Sequence, residues 1–397
     1  MPSRHTPEEL HAWLRLSLEP GLRPADMLAL LAAAGLPEQI YARGAGALAR
    51  VVPAELARQL AAPPAADTAA RIDAAMAWAE HAGHEVATLA DDIYPKALLN
   101  LPDPPPLLYV AGDPAAARRA AIAVVGARSA TAGGLANARA FARHLAAQGW
   151  CVVSGLARGI DAAAHEGALD AGPQGGGTVA VLGTGIDIVY PAPNQELAAR
   201  IERHGALVSE FPLGTPPLPH QFPRRNRLVA GLARGVLVVE AARQSGSLST
   251  ARLAAENGRE VFAIPGSIHS PLSRGCHALI RQGAKLVETA QDIADELGVP
   301  GAGASPDAGG GRPAKTGPRR GGNGRAVHSP ARTPAAACGA PDGPPHPLLD
   351  ALGHDPVSFD ALQARTGLET AELQGQLLQL ELDGRITRLG GGRFQRA

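Results

Sequence analysis

Aromatic side chains supply only 3% of this 397-residue chain, and of its 37 basic residues just three are lysine (Lys96, Lys285, Lys315). So few aromatics argue against any binding mode that rests mainly on ring stacking. No lysine sits in a glycine loop and G-x-x-x-x-G-K-[ST] is absent, which excludes a P-loop ATPase. G-x-S-x-G is absent too, and with it the nucleophile elbow of α/β-hydrolases. The three cysteines (Cys151, Cys276, Cys338) lie far apart without metal-ligand spacing and read as reduced thiols of a cytoplasmic protein. No apolar run approaches the ~18 residues of a membrane span, and the opening MPSRHTPEELHAWLRL has no signal-peptide core.

The formal net charge of zero conceals an uneven distribution. Residues 1–104 carry 8 basic and 13 acidic side chains, and 105–298 carry 18 and 15. Residues 299–345 carry 6 and 2, and 346–397 carry 5 and 7. The middle is therefore basic and both ends are acidic. Affinity for phosphate follows such local clustering rather than the total.

Residues 1–100 show helical periodicity without strand signals, as in PEELHAWLRLSL and DTAARIDAAMAWAEHAG, and predict a small helical domain. The proline-rich run LPDPPPLLYVAGD (101–113) marks entry into a second domain, 101–298. There, short apolar strands are expected near 121–126, 150–154, 178–182, 205–209, 235–240, 260–264 and 284–287, separated by helices of about ten residues. That alternation predicts an α/β fold, a doubly wound parallel sheet covered on both faces, with ligands beyond the carboxyl ends of its strands. Residues 299–345 are mostly Gly, Pro, Ala and Arg and read as a disordered linker. Residues 346–397 predict a winged helix with RITRLGGGRFQR as its wing. Its third helix, TAELQGQLLQLELDG, carries Glu372 and Glu381 and no Lys or Arg, which favours protein contact or a structural role over reading bases.

Four strand candidates end in glycine-rich turns, and a strand that stops in such a turn and opens a helix presents free N–H groups and a positive dipole end. The first turn, Val125-Gly126-Ala127-Arg128-Ser129, places Arg128 where a dinucleotide fingerprint needs its second glycine, so it offers a guanidinium to a phosphate instead. The second, Ser154-Gly155-Leu156-Ala157-Arg158-Gly159, leads to Asp161 as an expected N-cap. His165 follows one helical turn later and reads as structural, since no second ligand has suitable spacing. The third, Gly183-Thr184-Gly185, is a candidate phosphate nest, and Asn194 a candidate cap. Phe222-Pro223-Arg224-Arg225-Asn226-Arg227 is the densest positive cluster, with Phe222 serving base stacking or packing. Ser245-Gly246-Ser247-Leu248-Ser249-Thr250 opens another helix with hydroxyls and free N–H groups. Glu210 and Glu240 end strands near this crevice, but nothing pairs them with a nucleophile.

In order, VVGARSAT, VSGLARGIDAAAH, VAVLGTGIDIVYPAPN, FPRRNRLVAGLA, VVEAARQSGSLSTA, AIPGS and LIRQGAKLV resemble the DNA-processing protein A family (DprA, also called Smf) over about residues 90–297. The resemblance implies an extended Rossmann core between a small helical domain, of the sterile-alpha-motif or helix-hairpin-helix kind, and a winged helix. It implies no enzymatic activity, cofactor or metal. It further implies binding and protection of single-stranded DNA, loading of RecA recombinase in natural transformation, and a homodimer formed through the Rossmann domain. Residue by residue, the strand-binding set it implies is Arg128 with Ser129, Gly155 and Arg158, then Gly183, Thr184 and Gly185. Phe222, Arg224, Arg225, Asn226 and Arg227 follow, with Ser245, Gly246, Ser247 and Thr250. Ala192 stands where many members place Lys or Arg after Tyr-Pro.

The residues support the same mechanism, arginines and helix-terminal amides holding a phosphate backbone largely blind to sequence. Both Arg128→Ala and Arg227→Ala are expected to weaken it. An enzyme cleaving nucleotide N-glycosidic bonds is the rival. Its P-G-G-x-G-T-x-x-E turn has no counterpart in Ser245–Thr250 or in Pro265-Gly266-Ser267, where a glutamate is missing.

Overall fold

The computed structural model describes residues 5–298, 300, 346–353, 356–389 and 392–396. Apart from Pro300, the segment expected to be a linker lies outside the described residues.

Six short helices open the chain: α1 (Pro7–Leu18), α2 (Pro24–Ala34), α3 (Pro37–Tyr41), α4 (Ala45–Leu48), α5 (Ala54–Ala61) and α6 (Ala66–Ala79). Thr6 and Glu9 form a capping box that fixes the start of α1. Leu16 of α1 joins the core of the helical bundle, while Leu14 and Leu18 face the other way, into a cluster shared with the sheet. One helix thus ties the N-terminal bundle to the rest of the molecule.

The sheet has nine strands: β1 (His84–Thr88), β2 (Leu107–Gly112), β3 (Ala121–Val125), β4 (Cys151–Ser154), β5 (Thr178–Val181), β6 (Ala206–Ser209), β7 (Gly235–Val238), β8 (Glu260–Ala263) and β9 (Lys285–Leu286). Their order is β1-β2-β6-β5-β4-β3-β7-β8-β9. The seven strands from β3 to β9 are parallel, as the alternating pattern predicts. The two extra strands at the β6 edge are antiparallel, and sequence reading missed both. The sheet therefore reaches back past the boundary expected at residue 101. His84–Thr88 is a short strand hidden behind a helical pattern, and Leu107–Gly112 follows three prolines. Each is defined by its pairing rather than by its own propensity.

The central strands are apolar throughout because both faces are covered. Ala121, Ala123 and Val125 of β3 enter one core cluster and Ile122 and Val124 the other; Val236 and Val238 of β7 alternate with Leu237 in the same way. On one face lie α7 (Ala132–Ala147), α8 (Ile160–Leu169) and, farther along the chain, α13 (Ala290–Leu297). On the other lie α10 (Gln221–Leu232), α11 (Gly246–Glu256) and α12 (Arg274–Arg281), while α9 (Gln195–His204) covers the β5 and β6 end. The chain winds from β3 to β6 in one direction, then crosses to β7 and winds the other way. The topological switch point thus falls between β3 and β7, where open α/β sheets bind their ligands.

The C-terminal module is a winged helix: α14 (Pro347–Leu352), α15 (Phe359–Thr366) and α16 (Thr370–Leu382), with β10 (Val357–Ser358), β11 (Ile386–Leu389) and β12 (Arg393–Arg396) forming one small sheet. Its core is leucine-rich and includes Leu348, Leu362, Leu373, Leu377 and Phe394. Leu378 and Leu382 of α16 point outward, 58% and 75% exposed.

Candidate nucleic-acid interface

A cavity of about 710 Å³ opens at the switch point, beyond the carboxyl ends of β3, β4 and β7. Its floor is Gly126-Ala127-Arg128-Ser129 and Gly155, its far wall is Asn226 with Ser245, Gly246, Ser247, Ser249 and Thr250, and Tyr190 and Phe222 close one side. The walls present backbone amides, hydroxyls and guanidinium groups. Three helices, α7, α8 and α11, begin beside it, and each start leaves free N–H groups.

The starts of α7 and α8 are engaged by the protein's own groups, a carboxylate at α7 and, at α8, the Ala127 carbonyl that accepts from Ile160 N–H at 3.2 Å. Glu240 accepts from the Thr131 backbone N–H (2.9 Å) and hydroxyl (2.6 Å) at the start of α7. A Cβ on Gly134 would collide with that carboxylate, so a side chain there would displace it. Asp161 is not the N-cap of α8; Gly159 holds that position. The Asp161 side chain reaches back to accept from the backbone N–H groups of Gly155 (3.2 Å) and Ala157 (3.4 Å), closing the loop before the helix. Leu156 in that loop has φ 58°, a left-handed conformation that costs a non-glycine residue about 1–2 kcal/mol. It is held there by burial of its own side chain and by Asn194, whose amide donates to Leu156 O at 2.8 Å. Asn194 therefore braces the loop rather than capping α9 with its side chain.

The start of α11 is different. Ser245 caps it, accepting from Ser247 N–H, and no acid lies in its first turn. Nothing lies within 4 Å of the position a Cβ would take on Gly246. The Ser245 and Ser247 hydroxyls are 2.6 Å apart, and Asn226 donates to Ser249 at 3.4 Å. This is the one helix start of the three left open to an outside anion.

Across from it stands Arg128, exposed and without a carboxylate partner among the described residues. Its guanidinium lies 5.8 Å from the centroid of the half-buried Phe222 ring, which in turn lies 5.6 Å from that of Tyr190. Ser129 sits beside Arg128 and is exposed. Arg158 is exposed as well, one residue past Ala157, outside the cavity lining.

Arg225 lies beneath the cavity, 5% exposed. It donates to Gly155 O at 2.6 Å and to Val181 O, lashing together the ends of β4 and β5. A Cβ on Gly155 would strike this guanidinium. Burial pulls the Arg225 pKa down to about 10, Asp161 raises it, and Arg128 lowers it further. Burial likewise raises Asp161, against the pull of Arg225. Arg225 beneath the cavity is thus partly offset by Asp161, while the exposed guanidinium of Arg128 faces the opening.

Three expected contacts are directed elsewhere by the structure. Gly183, Thr184 and Gly185 are buried and outside the cavity: Phe222 packs on Gly183, Thr184 donates to Ile188 O at 2.6 Å, and Gly185 N–H bonds to Thr215 O at 2.9 Å. A turn whose amide is already paired is no phosphate nest. Arg224 and Arg227 emerge from the opposite side of α10, where both meet the buried carboxylate of Glu210. Arg227 also donates to Asp103 O at 2.7 Å, pinning the proline-rich entry segment. Burial raises Glu210 while Arg227 and Arg224 oppose it. In contrast, His165 is structural as expected, fully buried against the Thr178 hydroxyl at 2.7 Å. Missed from sequence were Tyr190 as a wall and Glu240 as the plug of α7; each is brought to the site by an element distant in the chain.

Fold and crevice define a Rossmann-like protein whose switch-point cavity is lined by amides, hydroxyls and guanidinium groups. A family model described as DNA recombination-mediator protein A matches residues 85–298, and one described as the DprA winged helix domain matches 330–392. Protein Smf of Escherichia coli is 42% identical over 330 residues, 82% of each chain. DNA processing protein DprA of Streptococcus pneumoniae is 45% identical over 210 residues, 53% of this chain and 73% of that one. The X-ray structure of DNA processing protein A from Streptococcus pneumoniae aligns with a TM-score of 0.59 at 37% identity, covering 72% of this chain and 95% of the other. The chain belongs to the DNA recombination-mediator protein A (DprA) family.

Proposed function

We propose that this protein binds single-stranded DNA in the crevice, shields it, and passes it to RecA recombinase in recombination linked to natural transformation. It does so in the cytoplasm, without catalysing a reaction, as a homodimer formed through the Rossmann domain. The observation that carries the reading is the pairing of an unneutralised guanidinium, Arg128, with the open N-terminus of α11 across one cavity. Successive phosphates of one strand fit between them, held by Arg128, Ser129, Asn226, Ser245 and the amide of Gly246. Arg225 supplies charge from beneath and Phe222 with Tyr190 offers a limited stacking wall.

The crevice carboxylates argue for binding rather than hydrolysis. Asp161 is engaged by two backbone amides and Glu240 by Thr131, so neither is free to act as a base. Membership in a family described as recombination mediators supports the hand-over to RecA. The half-exposed Leu286 in the two-residue edge strand β9 offers apolar surface for a second copy. The outward leucines and absent basic residues of α16 support a protein partner for the winged helix. No helix among the described residues is long and apolar enough to cross a membrane.

The reading is tested by fluorescence anisotropy of a labelled ~30-nucleotide single strand and its matching duplex across a salt series. Tight single-strand binding with a negative slope of log K against log salt, and weaker duplex binding, is the expected result. No binding at low salt would remove the reading and turn attention to a small nucleotide ligand.

A further inference from the structure

Arg128 sits on the loop between β3 and α7, so whatever holds that loop decides where its guanidinium is presented. Two ties are made by backbone. On the α8 side, Gly159 (φ 78°) comes so close that a Cβ there would strike the carbonyls of Ala127 and Arg128. On the β7 side, Val239 N–H donates to Val125 O at 3.1 Å, and a Cβ on Gly126 would meet Glu240 O at 2.9 Å. The third tie is made by a side chain. Glu240 accepts the Thr131 N–H on Oε2 and the Thr131 hydroxyl on Oε1, and that hydroxyl in turn accepts from Gly134 N–H at 2.9 Å.

This two-point grip fixes both the position and the orientation of Thr131, three residues beyond Arg128. Neither Glu240 nor Thr131 lines the cavity, whereas Arg128 and Ser129 form its floor. The carboxylate therefore reaches a ligand in the crevice only through the loop or through its charge. The two routes have opposite signs. A negative charge near the crevice repels a phosphate, while a fixed loop spares Arg128 and Ser129 freedom they would otherwise lose on contact. Charge is the weaker of the two here, because the carboxylate sits at the start of α7 against the positive end of that helix. The grip also depends on residue 134 having no side chain, since a Cβ there would collide with the carboxylate.

We propose that Glu240 is a positioning residue for strand binding, holding the Arg128–Ser129 loop through Thr131 so that both side chains meet the phosphates preorganised. This rests on the single-strand reading above. Its signature is coupling: Glu240 matters only while Arg128 is present.

The test measures anisotropy of a labelled ~30-nucleotide single strand across a salt series, on full-length variants whose folding is checked by chemical denaturation. Glu240→Ala weakens binding about five- to twenty-fold and makes the salt slope shallower by about 0.7, the share of one phosphate contact. Added to Arg128→Ala, the same change alters affinity by less than about two-fold. Gly134→Ala pushes the carboxylate off Thr131 without removing its charge, at a helical position where alanine is the better former, and weakens binding as Glu240→Ala does. Glu240→Gln keeps an acceptor for the Thr131 N–H and stays within about three-fold of wild type. If Glu240→Ala fails to fold, Gly134→Ala and Glu240→Gln decide the matter alone. Tighter binding in Glu240→Ala with no change in Gly134→Ala overturns the proposal and leaves the carboxylate a repelling charge only. Equal weakening by Glu240→Ala with and without Arg128 also overturns it, as does wild-type binding in both Glu240→Ala and Gly134→Ala. Arg128→Ala separates the two claims: unchanged binding in that variant removes the crevice reading itself.

Discussion

The two sides of α10 carry arginines of opposite character. Arg224 and Arg227, three residues apart, point away from the crevice and close on Glu210, with the Arg227 and Glu210 side chains only 9% and 2% exposed. Arg225 and Asn226, on the other side, underlie and line the cavity. Helical spacing divides four consecutive residues between two tasks, because each step turns the side chain by about 100°. A dense basic cluster therefore overstates binding capacity. The charge available to a ligand is what remains after internal carboxylates are satisfied, and here it is Arg128 on a loop plus Arg225 from below.

That contrast is open to direct attack. Arg227→Ala leaves Glu210 buried beside one weaker partner and is expected to destabilise the fold by about 3–5 kcal/mol, read by chemical denaturation. The folded fraction keeps its strand affinity. A variant with unchanged stability and weakened binding would reverse the assignment of the two sides. Arg128→Ala is expected to do the opposite: about 10- to 100-fold weaker strand binding and stability within about 0.5 kcal/mol of wild type.

His165 sharpens the buried side of the comparison. Burial, reinforced by Arg225, lowers its pKa from 6.5 to about 3 in the folded protein. The unfolded chain therefore binds the extra proton first, so this contribution to stability is complete above pH 6.5 and is lost as pH falls toward 3. At pH 5 the expected loss is about 2 kcal/mol, and His165→Gln flattens the denaturation midpoint against pH over that window. An unchanged profile in the variant would place the titrating group elsewhere. The smallest effect is expected from Ser245→Ala, which removes the cap of the open helix and costs about 1 kcal/mol of stability together with a modest loss of strand affinity. Loss of stability without any change in affinity would make Ser245 a cap only.

Much of the architecture was legible from local pattern. The seven parallel strands and their intervening helices follow from apolar runs punctuated by glycine, and the winged helix from three short amphipathic segments before a hairpin. Strands β1 and β2 were not, because their identity depends on pairing at the β6 edge. Within the site, Arg128 and the Ser245–Thr250 turn stand at strand ends, where sequence position alone places them at the crevice. The fates of Arg227 and of Gly183-Thr184-Gly185 were illegible for a physical reason: Glu210, Asp103 and Thr215, which claim their polar groups, are brought up by other elements. Glu240 shows the same limit, since a strand-end acid reads as a candidate base until Thr131 is seen to hold it.

The central claim, that Arg128 and not the outer arginines of α10 holds the strand, is most directly tested by one titration. Anisotropy of a labelled ~30-nucleotide single strand is measured for wild type, Arg128→Ala and Arg227→Lys at matched salt and at a temperature where all three are folded. The account predicts wild-type affinity for Arg227→Lys and, for Arg128→Ala, a large loss with a salt slope shallower by about 0.7. Wild-type affinity in Arg128→Ala, with the loss appearing in Arg227→Lys instead, would contradict it.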